Sequence, residues 1–228
     1  NWATYRLAPQ MAKTPEAVYS MFGSMVPAIV ANTEKEAADI QAMIDKTGGK
    51  FELAPWDWEF YAEKVRQEKY ALDANSIRPY IEFNRVLEDG VFYTLKELYG
   101  VTLKPRPDLP VYHPDVKAYE MFDADGSSMA IFYADYFARE GKRGGAWMDE
   151  AITRLKVLDQ VTTPVSFLTC NFSAPVGDKP ALFTHDEVLT MFHEFGHGIH
   201  HMLTKVDDYS VSGIKGVEWD AVELPSQF

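Results

Sequence analysis

The segment THDEVLTMFHEFGHGIHHML, residues 184–203, constrains the fold of this chain more than any other. Thr184 is followed three residues later by Glu187, a pair that forms a capping box and predicts a helix start. At helical spacing, five large apolar side chains share one face of this helix: Val188, Phe192, Phe195, Ile199 and Met202. The segment is therefore predicted to pack one face against a core and to turn the opposite face toward a cleft.

The opposite face carries an unusual concentration of imidazoles. Residues 191–201 contain four of the six histidines in the chain. His193 and His197 lie one helical turn apart, so both rings can reach a single ion at about 2.1 Å. Glu194 is rotated away from this pair but remains close enough to contact a water at the ion. This HExxH pattern is typical of a zinc site with two histidine ligands and a glutamate general base. The motif alone leaves a solvated helix face as the alternative.

A catalytic zinc usually takes three protein ligands, so a third is expected. His200 is on the correct side of the helix, but it lies about 10 Å along the axis from His193. The longer zinc-binding motif in which a third histidine follows at position 203 does not match this sequence, because that residue is Leu203. The following segment, GVEWDAVELPSQF, offers Glu218 and Glu223. Either of these glutamates could equally be a surface acid.

Two glycines interrupt the same helix. Gly196 and Gly198 each weaken it by about 1 kcal/mol relative to alanine. Another part of the structure must compensate for this cost, or must approach the helix closely at these positions.

The composition restricts the partners of the chain. The 228 residues carry 22 Lys and Arg against 34 Asp and Glu, a net charge of −12. Nucleic acids and anionic membranes favour basic surfaces, so neither is expected as a partner. No apolar run has the length of a membrane span. Cys170 is the only cysteine, which excludes an intramolecular disulfide and favours a reducing compartment, here the cytoplasm.

Residues 1–102 are predicted to be a helical segment. Helix starts are predicted at Thr14, residues 33–36 and Pro55, and Pro27 is predicted to bend or break the first of these helices. A further helix is predicted over residues 82–100, ending at Gly100.

Residues 103–228 form a second segment in which strands appear. Three are predicted, at residues 116–122, 127–135 and 163–172. The turn residues DADG join the first two into a hairpin. The stretch GKRGGAWMDEAITRL is predicted to be a glycine-rich turn that leads into a short helix. The fold class is therefore mainly α (α+β), with a small antiparallel β-sheet.

Two motifs together identify a family. FTHDEVLTMFHEFGHGIHHMLT followed by GVEWDAVELPSQF resembles the thimet oligopeptidase family of zinc metallopeptidases. The likeness extends through FYADYFAREGKRGGAWMD and LTCNFSAPVGDKPALFTHDEV and covers nearly the whole chain. The resemblance implies a zincin-like helical catalytic core that binds one Zn²⁺ per chain. It also implies that Glu223, and not Glu218, is the third ligand beside His193 and His197.

The same resemblance implies an activity. The chain would be a zinc-dependent metalloendopeptidase that hydrolyses short peptides, with Glu194 as the general base. Ser226 and Gln227, and less directly Asp186, are candidates for orienting the ligands. Members of the family are much longer, so both segments are predicted to be one central fragment of a larger peptidase domain. The remainder of the polypeptide is expected to complete the active site.

Other functions remain open at this point. One is a dipeptidyl carboxypeptidase of the same family, and another is a zinc-binding fragment without catalytic activity. A helical binding module without a metal is the third. For the peptidase, the strands near 127–135 and 165–172 are candidates for pairing with the substrate main chain. A small sheet that only supports the histidine helix is the simpler interpretation.

Overall fold

The computed structural model describes residues 1–71 and 74–227, apart from the side chain of Ala74. Contacts between Cα atoms divide the chain into two compact units, Asn1–Ser76 and Ile77–Phe228. The division predicted from the sequence, after residue 102, lies instead where the chain changes from helices to strands. The assignment of a helical segment and a catalytic segment stays a prediction. Among the described residues, none of the helices combines the length and the hydrophobicity that crossing a membrane requires.

The first unit is helical. Its helices are α1 (Trp2–Leu7), α2 (Pro15–Lys46) and α3 (Trp58–Tyr70), with a 3-10 turn at Pro55–Asp57 before α3. Thr14 caps α2 by accepting a hydrogen bond from the Ala17 N–H at 3.3 Å. Helices α2 and α3 are linked by exposed ion pairs, Lys46 with Glu68 and Lys69 with Asp39, both at 2.6 Å.

Helix α2 continues without interruption through Pro27 and residues 33–36. The new helix start predicted at residues 33–36 is therefore wrong, and Pro27 does not break the helix. Pro27 lacks one hydrogen-bond donor, but the turns on both sides keep theirs, and the helix continues. The capping-box residues at 33–36 have no free helix end to cap, because the chain is already helical where they occur.

The second unit is built around a mixed sheet. Its main strands are β1 (Thr102–Pro105), β2 (Lys117–Phe122), β3 (Ser128–Phe137), β4 (Trp147–Ile152) and β7 (Val165–Phe172), in the order β1-β2-β3-β7-β4. Strands β5 (Leu155–Val157) and β6 (Gln160–Thr162) form a separate antiparallel pair. The β2–β3 hairpin is antiparallel, as predicted. The mainly α class with a small sheet is confirmed, but the sheet is mixed because β3 pairs with β7 in parallel.

The stretch predicted as a short helix after the glycine-rich turn is strand β4. It pairs antiparallel with β7, from Trp147 opposite Thr169 to Ile152 opposite Val165. The main-chain pairing with a buried strand outweighs the local helical pattern. The turn before β4 is fixed by Asn171, whose Nδ2 donates to the carbonyls of Arg143 at 2.8 Å and Gly145 at 2.7 Å.

The helices of the second unit pack against this sheet. The short α4 (Ala74–Ile77) spans the division between the units, and a 3-10 turn follows at Arg78–Tyr80. The helix predicted over residues 82–100 consists of α5 (Phe83–Arg85), a π-helical stretch (Val86–Phe92) and α6 (Tyr93–Tyr99). It ends at Gly100, whose φ of 74° suits glycine.

Helix α7 (His185–Met202) is the histidine helix. Its capping box is formed as predicted: Glu187 N donates to Thr184 Oγ1 at 3.2 Å, and Thr184 N donates to Glu187 Oε2 at 2.7 Å. The predicted apolar face is packed in the core, and the ring centroid of Phe195 lies 5.0 Å from that of Phe132 on β3. The sheet therefore supports α7 from its apolar side.

Candidate metal centre

Three potential metal ligands converge beside α7. Nε2 of His193 lies 3.2 Å from Oε2 of Glu223, and Nε2 of His197 lies 3.1 Å from the same oxygen. The ligand atoms of the three residues all lie within 4.8 Å of one another. Across residues 1–71 and 74–227, this is the one group of three histidine, cysteine or acidic side chains that gathers in this way. The sequence-predicted set is thus brought together in space.

The donor set fits a zinc ion. Ligands placed tetrahedrally at about 2.0–2.1 Å from zinc lie about 3.3 Å from one another. The two nitrogen–oxygen distances, 3.2 Å and 3.1 Å, are close to that value. Two imidazoles and one carboxylate also match the ligand types of known catalytic zinc sites, in which a fourth position stays open. His193, His197 and Glu223 could therefore hold one ion.

Glu223 reaches the histidines on a run of turns. The segment contains 3-10 turns at Tyr209–Val211 and Pro225–Gln227. Between them, Ala221 N donates to the Glu218 carbonyl at 2.8 Å and Leu224 N donates to the Ala221 carbonyl at 3.0 Å. Each of these hydrogen bonds spans three residues, as in a 3-10 turn.

Ser226 directly contacts Glu223, the candidate third ligand. It is 3% exposed, and its Oγ lies 2.8 Å from both the carbonyl oxygen and Oε2 of Glu223. This hydrogen bond, together with the nearby imidazoles, lowers the pKa of Glu223 and favours its carboxylate form. Gln227 and Asp186, the other candidate orienting residues, are exposed.

Glu194 lies next to the ligand pair and is 6% exposed. Burial is the main cause that raises its pKa, and the charge of Glu223 adds to the effect. The charge of His193 and the main-chain N–H of Met148 act in the opposite direction and lower this pKa. The sequence analysis does not identify Met148 as a neighbour of Glu194, because it predicts a helix where the structure has β4. The β-branched or alternating pattern that could have signalled a strand is absent from WMDEA.

The environment of His197 also favours metal binding. Burial lowers the pKa of His197, and the charge of Glu223 partly opposes this shift. The neutral imidazole is the form that ligates a metal, so burial of the ring favours the binding form.

The alternative third ligands lie elsewhere. His200 and Glu218 line a cavity of about 560 Å³, together with Lys205 and Lys215. Burial lowers the pKa of His200, and its Nδ1 is buried without a hydrogen-bond partner among the described residues. Neither residue belongs to the group that converges on His193 and His197.

The strand edge beside this centre is β4. Strands β3 and β7 each pair on both sides, so the substrate-binding edge predicted at residues 127–135 and 165–172 is wrong. Strand β4 ends the sheet next to α7. His201 ties the two together, because its Nε2 lies 3.0 Å from the carbonyl oxygen of Ile152.

Comparison with known proteins places the chain in a family. Residues 1–228 match the sequence profile described as Peptidase family M3. The chain is 47% identical over 229 residues to oligopeptidase A of Escherichia coli (strain K12), an alignment that covers 100% of this chain and 34% of the relative. It is 45% identical over 227 residues to dipeptidyl carboxypeptidase of Salmonella typhimurium, covering 100% and 33%. It is 40% identical over 236 residues to the organellar oligopeptidase A of Arabidopsis thaliana, covering 100% and 30%.

The chain therefore spans about a third of the length of the curated relatives that it matches. The match to the family profile extends over the whole chain, and it includes both the HExxH helix and the turn segment that carries Glu223. These findings confirm the resemblance that the motifs indicate, and the chain belongs to peptidase family M3.

Proposed function

We propose that this chain is the zinc-binding part of a metalloendopeptidase that hydrolyses short peptides. The observation that carries the proposal is the convergence of His193, His197 and Glu223, with the Glu194 carboxylate beside them. Zinc bound by these three residues would supply a Lewis acid that polarises the peptide carbonyl and lowers the pKa of a water.

Glu194 is proposed as the general base and acid. Its carboxylate takes a proton from the attacking water, the water oxygen adds to the peptide carbonyl carbon, and the C–N bond then breaks. Glu194 returns the proton to the leaving amine nitrogen. The main-chain N–H of Met148 favours the ionised form of the carboxylate, and burial limits the access of competing water to it.

Strand β4 is proposed to bind the substrate main chain. It is the end strand of the sheet on the side of α7, so an extended peptide can add to it as a further strand. The net charge of −12 favours neutral or basic peptides. We also place the protein in the cytoplasm, since Cys170 is the only cysteine.

Relatives about three times as long suggest that complete activity needs further polypeptide. The remainder would provide the groups that stabilise the transition state. An isolated fragment that binds zinc without turnover is consistent with the same ligand geometry.

A second candidate is a dipeptidyl carboxypeptidase, favoured by the 45% identity to a relative of that name. A peptide with an amidated C-terminus separates the two functions in the full-length protein. An endopeptidase cleaves it, whereas an enzyme that trims dipeptides from a free C-terminus does not.

Metal analysis of the wild type beside Glu223→Ala tests the proposed ligand set. We expect about one zinc per wild-type chain and a strongly reduced content in the variant, because a catalytic site depends on three protein ligands. Unchanged zinc in Glu223→Ala would return the search for the third ligand to Glu218 or His200. A wild type without zinc would contradict the proposed function itself.

A further inference from the structure

Gly196 occupies a position where glycine is not required by the backbone. It lies inside α7, between the two histidine ligands, and it is not among the residues with positive φ. Glycine weakens a helix interior relative to alanine, so the residue carries a cost without a conformational reason.

The space around Gly196 gives the reason. A Cβ built on this residue would lie closest to the carbonyl oxygen of Pro225, 2.7 Å from Cα of Ser226 and 3.0 Å from the carbonyl carbon of Pro225. All three are main-chain atoms, which cannot rotate away as a flexible side chain can. The turn segment therefore lies directly on the helix backbone at this residue.

Gly198 shows the opposite situation on the same helix. Its Cβ would lie 3.7 Å from Met202 Cε and 3.7 Å from Phe132 Cε2, which is ordinary van der Waals contact. Both glycines are buried in α7. Replacing either one with alanine adds the same methyl group and the same helix propensity, so Gly198 is a matched control.

The contact at Gly196 leads to the third ligand. The Ser226 main chain rests on Gly196, and Ser226 Oγ lies 2.8 Å from Glu223 Oε2. That same oxygen is 3.2 Å from His193 Nε2 and 3.1 Å from His197 Nε2. Displacing the turn by about 1 Å to admit a methyl group would exceed the roughly 0.2 Å tolerance of a metal–ligand distance.

We infer that Gly196 is a positioning residue for the metal centre. Its missing side chain lets the Pro225–Ser226 main chain seat against α7. The Ser226 hydroxyl passes this contact on to Glu223 and so sets the distance between Glu223 and the histidine pair. Gly196 thereby controls metal affinity without contacting the ion. The inference rests on the proposed function, since it assumes that zinc binds at these three residues.

Zinc affinity measured by competition with a chromophoric chelator tests the inference in the full-length protein. We expect Gly196→Ala to weaken zinc binding by about 10-fold to 100-fold, the range typical of residues that orient a metal ligand. Gly198→Ala should remain close to the wild type. Far-UV circular dichroism reports whether each variant is folded.

A double variant separates positioning from general destabilisation. In a Glu223→Gln background the ligand that Gly196 positions is already altered, so adding Gly196→Ala should weaken binding little further. An equal loss with and without Glu223→Gln would overturn the inference, as would wild-type affinity in Gly196→Ala. Failure of the wild type to bind zinc would instead contradict the proposed function.

Ser226→Ala provides a test if Gly196→Ala does not fold. It keeps the main chain on Gly196 but removes the hydroxyl that connects it to Glu223. We expect about a 10-fold loss of zinc affinity, as for other residues that orient a metal ligand. Wild-type affinity in Ser226→Ala would show that the turn does not act through Glu223 and would overturn the inference.

Discussion

Helix α7 and the turn segment after it contribute candidate ligands to the same proposed centre by different means. His193 and His197 are placed by local geometry, because residues four apart in a helix share a face. Glu223 is placed by tertiary contacts, through the Pro225–Ser226 main chain and the Ser226 hydroxyl. The comparison suggests that the histidine pair persists wherever α7 is helical, whereas the third ligand depends on how the turn segment docks.

Glu194→Gln tests the part of the centre that local helix geometry supplies. We expect hydrolysis of a fluorogenic peptide by the full-length protein to fall by about 10²-fold to 10⁴-fold, the usual contribution of a general base. Zinc content should stay at the wild-type level, since Glu194 is not among the converging ligands. Glu218→Gln, a change at the neighbouring cavity, is the control and should remain active. Full activity in Glu194→Gln would refute its role as the base.

Phe195→Ala tests the support that the sheet gives to α7. Phe195 is fully buried against Phe132. We expect the free energy of unfolding in urea to fall by about 3–5 kcal/mol, the usual cost of removing a buried phenylalanine ring. Leu189→Ala changes a residue of the same helix that is 55% exposed, and it should cost far less. Equal losses would mean that the sheet does not support the helix as the structure indicates.

Removal of zinc should affect hydrogen exchange in α7 and in the turn segment, residues 218–227, to different extents. A ligand at 100 times its Kd stabilises the folded state by about 2.7 kcal/mol. We expect hydrogen exchange on chelation to speed up most in residues 218–227, because that segment lacks the regular hydrogen bonds of α7. The N-terminal turn of α7, with its closed capping box, should change little. A uniform change across both regions would contradict the proposed difference.

The buried carboxylate of Asp135 and its hydrogen-bond partners provide a further, pH-dependent test. Asp135 is 2% exposed, and burial alone would raise its pKa. Hydrogen bonds from Arg139, Lys142 and Tyr112 outweigh burial and lower the pKa to about 2. Because the folded pKa is below the unfolded value, the stabilisation is complete above the unfolded pKa and disappears as the pH falls through the folded pKa.

Between about pH 5 and about pH 2, the wild type should therefore lose about 2 kcal/mol more unfolding free energy than Asp135→Asn. Denaturant titrations across this pH range measure the difference. Asp159→Asn, at an exposed position, should follow the wild type. Parallel pH profiles for the wild type and Asp135→Asn would contradict the assignment.

The difference between residues placed by local helix geometry and residues placed by tertiary contacts explains what could be predicted from the sequence. The capping box of α7, its buried face and the spacing of His193 and His197 follow from local periodicity, and the structure has all three. The choice of Glu223 over Glu218 required the family resemblance, because periodicity cannot locate a residue that tertiary contacts place. Strand β4 was predicted as a helix because its partner β7 is remote in sequence, and local propensity does not report that pairing.

The main-chain N–H of Met148 lowers the pKa of Glu194, so the register of β4 in the sheet affects the proposed general base. Along a strand, successive N–H groups point to opposite sides, so a slip of β4 by one residue would aim the donor at β7. An insertion of an odd number of residues in the glycine-rich turn, if absorbed by such a slip, would turn this N–H away from the Glu194 carboxylate. Insertions or deletions of an even number of residues in this turn should therefore be tolerated better than changes of similar size by an odd number.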